Sequence, residues 1–517
     1  MFFNDWLARW HIYTPDQIAI VDLVSSRRVT YQEMNRRACA LGSWLHREAG
    51  ISRGNRVACL SMNRLEFLDL FFACGKIGAI LVPLNYRLPS AGLTELIQDC
   101  RPRCLMVEET WREFGTSSQR DGLTGRVVEM NALESIATGM EPSLAPSHQA
   151  GIEEIAMILY TSGTTGKSKG AMISWRQIHW NAVNTTIALQ LTGADVSFLN
   201  TPLYHTGGWH VLFTPLMHLG GRVVLQKQFD AAQCNDLIAA EGVTILFGIP
   251  TTMRTMMDAP NFAAADFRSV RFAICGGEPC PLPVIRAYEK KGVPVRQGYG
   301  LTEAGPNCFS LPAEDAIRKE GSVGFPNFHI ETRIEKENGA EAGPDEVGEL
   351  LMRGPHLFSG YWNNPEATRE TLAEGWVRTG DLFRRDAEGY HYVIGRRKEM
   401  FVSGGENVYP AQVEKVLQQH PSVAQAAVIG VPDARWGEVG CACVELSEPV
   451  SVQEIGDWCR RFLAGYQCPK HVFILENLPL GHSGKIDKQA IRQRALEWIA
   501  GDANPKPPLD RTRDAAP

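Results

Sequence analysis

The 517-residue chain has a hydrophobic fraction of 44%, a charged fraction of 21% and a formal net charge of -6. That balance excludes a largely disordered chain. So mild a negative charge also gives no electrostatic footing for nucleic acid or an anionic membrane as the main partner. The length exceeds what one hydrophobic core serves, so two or more domains are expected.

In chain order, the opening segment "MFFNDWLARW" carries Asp5 and Arg9 where a secretory leader needs an unbroken apolar run. Thirteen cysteines, scattered from Cys39 to Cys468 without a C-x-x-C pair, suit reduced thiols. Both point to the cytoplasm. From Thr30 to about Glu108 the pattern predicts a helix, the strand "RVACLSM", a helix around "EFLDLFFACGKIGA", the strand "ILVPLN", another helix and the strand "CLMVE". Within it, Phe67 to Leu84 is the most membrane-like stretch, but Asp69 and Lys76 make it too polar for a span of ~20 residues. The alternation resumes with "GRVVLQ", a helix near Ala231 to Glu241, "VTILFGIP" and "VRFAICGG". Such apolar, β-branched runs suit parallel strands buried on both faces.

After about Gly324 the texture changes to "HIETRIEKENGAEAGPDEVGELLMRG", which predicts antiparallel strands with tight turns. The hairpin "DLFRRDAEGYHYVIGR" ends in the charged knot "GRRKEM", and a boundary is placed at Lys398. Beyond it, Val413, Val416 and Leu417 stand at helical spacing. The strands "AQAAVIGV" and "CACVEL" follow, then a helix opened by a Ser451–Glu454 capping box. The expected fold class is therefore α/β. A large N-terminal domain (1–397) of layered α/β subdomains with a β-rich subdomain precedes a small α+β domain (398–503) and a polar, proline-rich tail (504–517) expected to be disordered.

The segment "YTSGTTGKSKG" ends like a Walker loop, but that signature needs a glycine five residues before its last one, and Thr161 stands there. What remains is a run of small and hydroxyl residues, Thr161, Ser162, Gly163, Thr164, Thr165 and Gly166, whose NH groups and hydroxyls can converge on phosphate oxygens. Downstream stand "PLYHTGG", "ICGGEP", "GYGLTEAG", "GWVRTGDL", "GRRKEMFVSGGENVYP" and "GHSGKIDK". With these seven motifs in order, from about Tyr31 to Arg492, the chain resembles the adenylate-forming superfamily of acyl-CoA synthetases, aryl-CoA ligases, luciferases and peptide-synthetase adenylation domains, and is most similar to the AMP-forming acyl-CoA synthetases.

The resemblance implies a role for each motif. The Thr161–Gly166 loop would hold the phosphates that leave as pyrophosphate. Lys169 keeps the family lysine's place, Lys167 falls at a variable position, and Ser168 replaces the family's proline. Tyr299 would offer its ring to adenine, Gly300 close backbone approach and Thr302 a hydroxyl to the α-phosphate. Glu303 would hold Mg²⁺, which needs only one or two carboxylates beside phosphate oxygens. Gly276, Gly277 and Glu278 would line the adenine and acyl ends of the cleft. Asp381 would accept from the ribose hydroxyls, with Arg396 as its partner. Lys485 is the expected adenylation lysine: a fixed cation stabilises the charge that builds when a carboxylate attacks the α-phosphate. Lys398 takes the hinge position about which the C-terminal domain turns between half-reactions. Gly405 takes the place where pantetheine slides past, and Arg435 and Trp436 would meet the CoA nucleotide.

For the acid, His205 resembles the residue that closes over the carboxylate. Trp209 stands where fatty acyl-CoA synthetases carry a gating tryptophan, with a tryptophan packed in a helix as the competing reading. Pro306 joins Gly276 and Gly300 in lining the acyl side. The expected activity is an ATP-dependent carboxylic acid:CoA ligase with ATP, Mg²⁺ and coenzyme A. Its substrate is expected to be a medium- or long-chain fatty acid or a hydrophobic ring acid. Partners are small molecules, without nucleic acid or stable membrane insertion, and a homodimer stays open. The alternatives are an enzyme loading a carrier protein, disfavoured because no GxxS attachment motif in a C-terminal bundle follows, and a P-loop switch, disfavoured by the failed Walker register and by Lys485.

Overall fold

The computed structural model describes residues 4–140, 150–161, 168–481 and 486–501. The chain divides into two compact units. The first comprises Met1–Arg333, Leu351–Arg378 and Gly389–His391; the second comprises Ile334–Leu350, Thr379–Glu388 and Tyr392–Pro517.

The first unit is built on two sheets. One runs in the order Arg126–Glu129, Cys104–Val107, Arg56–Leu60, Ile80–Pro83, Ile155–Thr161, Lys169–Ser174. Its first five strands are parallel and the last, Lys169–Ser174, is antiparallel to its neighbour. The other sheet has a parallel centre of Val295–Leu301, Phe272–Cys275, Ile245–Gly248, Val196–Leu199, Arg222–Leu225 and Ile18–Asp22, flanked by antiparallel strands at both ends. The central runs are apolar at nearly every position because helices cover both faces.

The stretch Phe67 to Leu84 resolves into the helix Leu65–Ile77 and the strand Ile80–Pro83, parted by Gly78 in the left-handed region at φ 71°. Its two charges are paired within the fold. Asp69 accepts from Arg37 at 2.6 and 2.9 Å with both side chains fully buried, and Lys76 donates to Asp5 at 2.7 Å. Burial outweighs the Arg37 charge and pushes the Asp69 carboxyl up to about 7. Among the described residues no helix is long and apolar enough to cross a membrane.

In the second unit the long strands Val423–Asp433 and Gly437–Leu446 pair antiparallel, and His471–Leu475 adds in parallel to the second of them. Side chains alternate between two cores. Ala426 and Val428 pack with Val413, Leu417 and Ile455 under the helices Pro410–Gln418 and Val452–Phe462. Ala427, Ile429 and Val431 pack with Ile491 and Ala495 of the helix Lys488–Ala500. The Ser451–Glu454 capping box forms as the sequence predicts. A short hairpin, Phe401–Ser403 with Glu406–Val408, adds to the expected elements. Ser403 faces Glu406 across the two-residue turn Gly404–Gly405, at φ 62° and 90°. Its Gly-Gly turn is a strong hairpin signal.

Candidate active site

Strands Ile155–Thr161 and Lys169–Ser174 pair Thr161 with Lys169, so the backbone enters and leaves the hydroxyl-rich loop at one point. The ammonium of Lys169 lies over the Tyr361 ring, 5.2 Å from its centroid, and the Tyr361 hydroxyl donates to Glu303 Oε1 at 2.6 Å. One tyrosine thus joins a lysine and a carboxylate that are far apart in sequence. The other carboxylate oxygen of Glu303 has no partner among the described residues, which leaves it available to a hard cation. Among those residues no group of three His, Cys, Asp or Glu could hold a metal by itself. The fit is to an ion held by one carboxylate and completed by phosphate oxygens.

The helix Trp175–Leu189 fixes the motifs around this cluster. Gln177 donates to the Thr302 carbonyl at 2.8 Å, and Asn181 to the His210 carbonyl at 2.6 Å. Asn307 donates to Thr185 at 2.8 Å and to the Val211 carbonyl at 2.9 Å. Gly300 has no room for a side chain, since a Cβ there would stand 2.3 Å from the backbone of Pro306. Tyr299 is half-buried, its ring edge-on to Phe309 at 5.9 Å.

The positions expected on the acyl side gather where the parallel strands end. Register pairs Cys275 with Gln297 and Gly248 with Cys275, which brings Gly276 beside Gly298 and at the tip of Phe247's strand. The half-buried Phe247 ring meets two glycines. A Cβ at Gly207 would lie 3.8 Å from ring atoms Cε1 and Cζ, and a Cβ at Gly276 3.9 Å from Cε2, so both glycines meet the tip of the ring. Gly277 and Glu278 are exposed beyond it. His205 precedes the short helix Thr206–His210, its ring 4.4 Å from that of Tyr204. Asn63 holds this segment, donating to the Thr201 carbonyl at 3.0 Å and accepting from the Leu203 NH at 3.1 Å. Trp209 is fully buried among Phe67, Phe71 and Phe213, with its indole NH donating to the Leu203 carbonyl. Its surroundings are those of a packed core residue.

In the second unit, Asp381 is 3% exposed and accepts from Arg396 Nε at 2.6 Å. Lys398 lies in the turn Arg397–Glu399. Trp436, 39% exposed, has the Arg435 guanidinium 4.9 Å and the Lys470 ammonium 5.5 Å from its ring centroid. Asp433 Oδ1 accepts from the backbone NH groups of Arg435 and Trp436 at 2.8 and 2.9 Å. The Gly404 NH donates to the Trp436 carbonyl at 2.9 Å, which seats the Gly404–Gly405 turn beside the indole.

The family of AMP-binding enzymes matches residues 7–362, and the C-terminal domain of AMP-binding enzymes matches 412–485. The chain belongs to the AMP-binding enzyme family. A feruloyl-CoA synthase of Amycolatopsis sp is 38% identical over 468 residues, covering 90% of this chain and 94% of that protein. An indoleacetate–CoA ligase of Aromatoleum aromaticum is 35% identical, covering 95% and 98%. The structure of o-succinylbenzoate CoA synthetase from Bacillus subtilis in complex with its acyl-adenylate intermediate has 30% identity and a TM-score of 0.85, with 95% and 98% covered. This AMP-binding enzyme is an acid–thiol ligase of the AMP-forming kind.

Several positions expected of an AMP-binding enzyme, Ser162, Gly163, Thr164, Thr165, Gly166 and Lys485, lie outside the described residues. Others emerge only from the fold: Tyr361, Gln177, Asn181 and Asn63. Tyr361 is 58 residues from Glu303 and Asn63 is 138 from Thr201, and neither stands in a glycine-rich or charged motif that would draw attention.

Proposed function

We propose that this ligase activates a hydrophobic ring acid. The observation that carries this reading is Phe247, a half-buried ring at the end of a parallel strand with two glycines at its tip. Two missing side chains leave room beside the tip of an aromatic ring, where a substrate ring can meet it edge-on, and ring pairs gain ~0.5–1.5 kcal/mol beyond their burial. The names of the relatives, which speak of ferulate, indoleacetate and succinylbenzoate, agree with it. The buried Trp209 has its indole nitrogen engaged by the backbone and would support the segment bearing His205 from behind.

In the first half-reaction the acid's carboxylate, faced by His205, attacks the α-phosphate of ATP. Lys485 stabilises the charge that develops there, and Thr302 donates to an α-phosphate oxygen. Thr161 through Gly166 hold the departing pyrophosphate with Lys169. Tyr299, Gly276, Gly277 and Glu278 border the adenine, and Asp381 with Arg396 takes the ribose. Mg²⁺, when bound at Glu303, neutralises phosphate charge; Tyr361 orients that carboxylate and keeps one of its oxygens engaged. Gly300 and Pro306 close the acyl side. In the second half-reaction the domain from residue 398 onward turns about Lys398, Gly405 borders the pantetheine arm, and Arg435 with Trp436 meets the nucleotide of CoA. CoA rather than a carrier protein is the acceptor, and the enzyme works in the cytoplasm as a monomer or homodimer.

The test is a panel of aromatic, alicyclic and straight-chain acids assayed for AMP release with and without CoA, on the wild type and on Phe247→Ala. Ring acids should give CoA-dependent AMP, and the variant should lose ~10-fold or more in kcat/KM on them while sparing straight chains. Faster turnover of straight-chain acids by the wild type would overturn the substrate assignment. AMP release that needs a carrier protein instead of CoA would overturn the acceptor.

A further inference from the structure

The turn Arg397–Glu399, which contains the proposed pivot Lys398, is tied down directly after it. The ammonium of Lys488 pairs with Glu399 at 2.8 Å and with Glu414 at 2.8 Å. Glu414 lies on the helix Pro410–Gln418, and its Oε1 also accepts from the backbone NH of Val428 at 2.7 Å. Lys488 opens the helix Lys488–Ala500, whose Ile491 and Ala495 are fully buried against the strand Val423–Asp433. One half-buried lysine therefore joins the turn after the pivot, a helix and a strand of the central sheet. It also stands three residues after Lys485 in the sequence.

Burial pushes the Glu414 carboxyl up against the opposing pull of Lys488. Burial alone would lower the Lys488 ammonium, but Glu414 and Glu399 together raise it, so the lysine stays charged. A lysine surrounded this way is a poor source of net stability, because desolvation offsets most of the attraction. Its value is geometric. A rotation about one backbone position reaches a distant side chain only if the chain after the pivot is rigidly joined to the segment carrying that side chain.

We propose that Lys488 is a positioning residue for the adenylation step, clamping Glu399 and Glu414 so that a turn about Lys398 is delivered to the segment ending in Lys485. The proposal rests on the reading of Lys398 as pivot and Lys485 as adenylation lysine. Without the clamp the turn after the pivot slips against the domain body, and the reacting groups lose the near-attack geometry that a misplacement of ~1 Å already costs ~100-fold. The thiol half-reaction is affected less, because Lys485 takes no part in it and Gly405, in the hairpin directly after the turn, follows the pivot without the Lys488 contacts.

The experiment compares Lys488→Met, Lys488→Arg, Glu399→Gln and Lys485→Ala in the full chain. It measures pyrophosphate–ATP exchange, conversion of supplied acyl-adenylate and CoA to thioester, and thermal melting. K488M should lose exchange by ~10-fold or more and keep thioester formation within ~3-fold. K488R should recover most of the exchange, and E399Q should show the same selective loss in milder form. If K488M does not fold, E399Q and K488R decide by the same criteria. Wild-type exchange in K488M and E399Q while K485A loses it would overturn the clamp alone. Equal loss of both half-reactions in proteins that melt normally would also overturn it. Wild-type exchange in K485A would instead overturn the underlying assignment, and the clamp with it.

Discussion

Gly300 of the first unit and Gly405 of the second both sit in glycine motifs assigned to ligand binding, yet side chains are excluded from them for opposite reasons. At Gly300 there is no space, with the Pro306 backbone 2.3 Å from where a Cβ would stand. At Gly405 nothing lies within 4 Å, but the backbone is at φ 90°, where L side chains are strained. The first is a closed site, its Thr302 carbonyl and the neighbouring His210 carbonyl held by one helix. The second is an open turn on a two-stranded hairpin beside an exposed Trp436. A packed site suits chemistry that needs fixed geometry, and an open face suits one that must admit a long thiol arm.

Acid should break the packed unit first. Burial lowers His210 to about 3, and burial with the Arg176 charge beside it lowers His356 to about 3. His218 falls to about 4 and His179 is lowered too, all of them in the first unit. These histidines are neutral when folded, and the unfolded chain takes up their protons near pH 6.5. Their stability contribution is therefore complete above that pH and is lost as pH falls from about 6.5 toward 3. At pH 5 His210 and His356 alone should remove about 4 kcal/mol, offset in part by Asp69, whose raised carboxyl takes up its proton in the folded chain between pH 7 and 5 and so adds stability as pH falls. Urea unfolding at pH 7 and 5, followed by proton uptake, checks this; stability that does not fall with pH would contradict the packed assignment.

Trp209→Ala should cost about 3 kcal/mol or more, as expected for emptying a fully buried aromatic site. Equilibrium unfolding measures it. A change in acid selectivity without loss of stability would move this tryptophan from the core back to the acyl cleft.

Gly300→Ala should reduce pyrophosphate–ATP exchange by about 100-fold, because the Pro306 backbone must shift and the Thr302 segment with it. Near-normal exchange with an unchanged circular dichroism spectrum would remove the contrast between the two glycines.

Gly405→Leu should leave exchange near normal and lower thioester formation about 10-fold. Gly405→Ala separates bulk from backbone strain, which costs ~1–2 kcal/mol at such a position. If both variants make thioester equally well, Gly405 does not border the thiol path.

Much of the architecture was legible in linear pattern. The runs "RVACL", "ILVP" and "CLMV" are strands of one parallel sheet, and the Ser451–Glu454 box opens its helix. Apolar runs and capping chemistry act over a few residues, so reading along the chain captures them. The Gly404–Gly405 hairpin was also written locally, but the same glycines carry a ligand reading, and that reading hid the turn.

The sequence by itself determined the family and the order of its motifs, because those depend on residue types at fixed short spacings. Tertiary structure alone decided that Tyr361 connects Lys169 to Glu303, that Asn63 pins the segment before His205, and that Lys488 meets Glu399 and Glu414. It also decided that Trp209 lies in a core and that two glycines meet the tip of the Phe247 ring. Each of these is a contact between elements far apart in the chain, set by strand order and helix packing, and spacing along one segment carries no record of it.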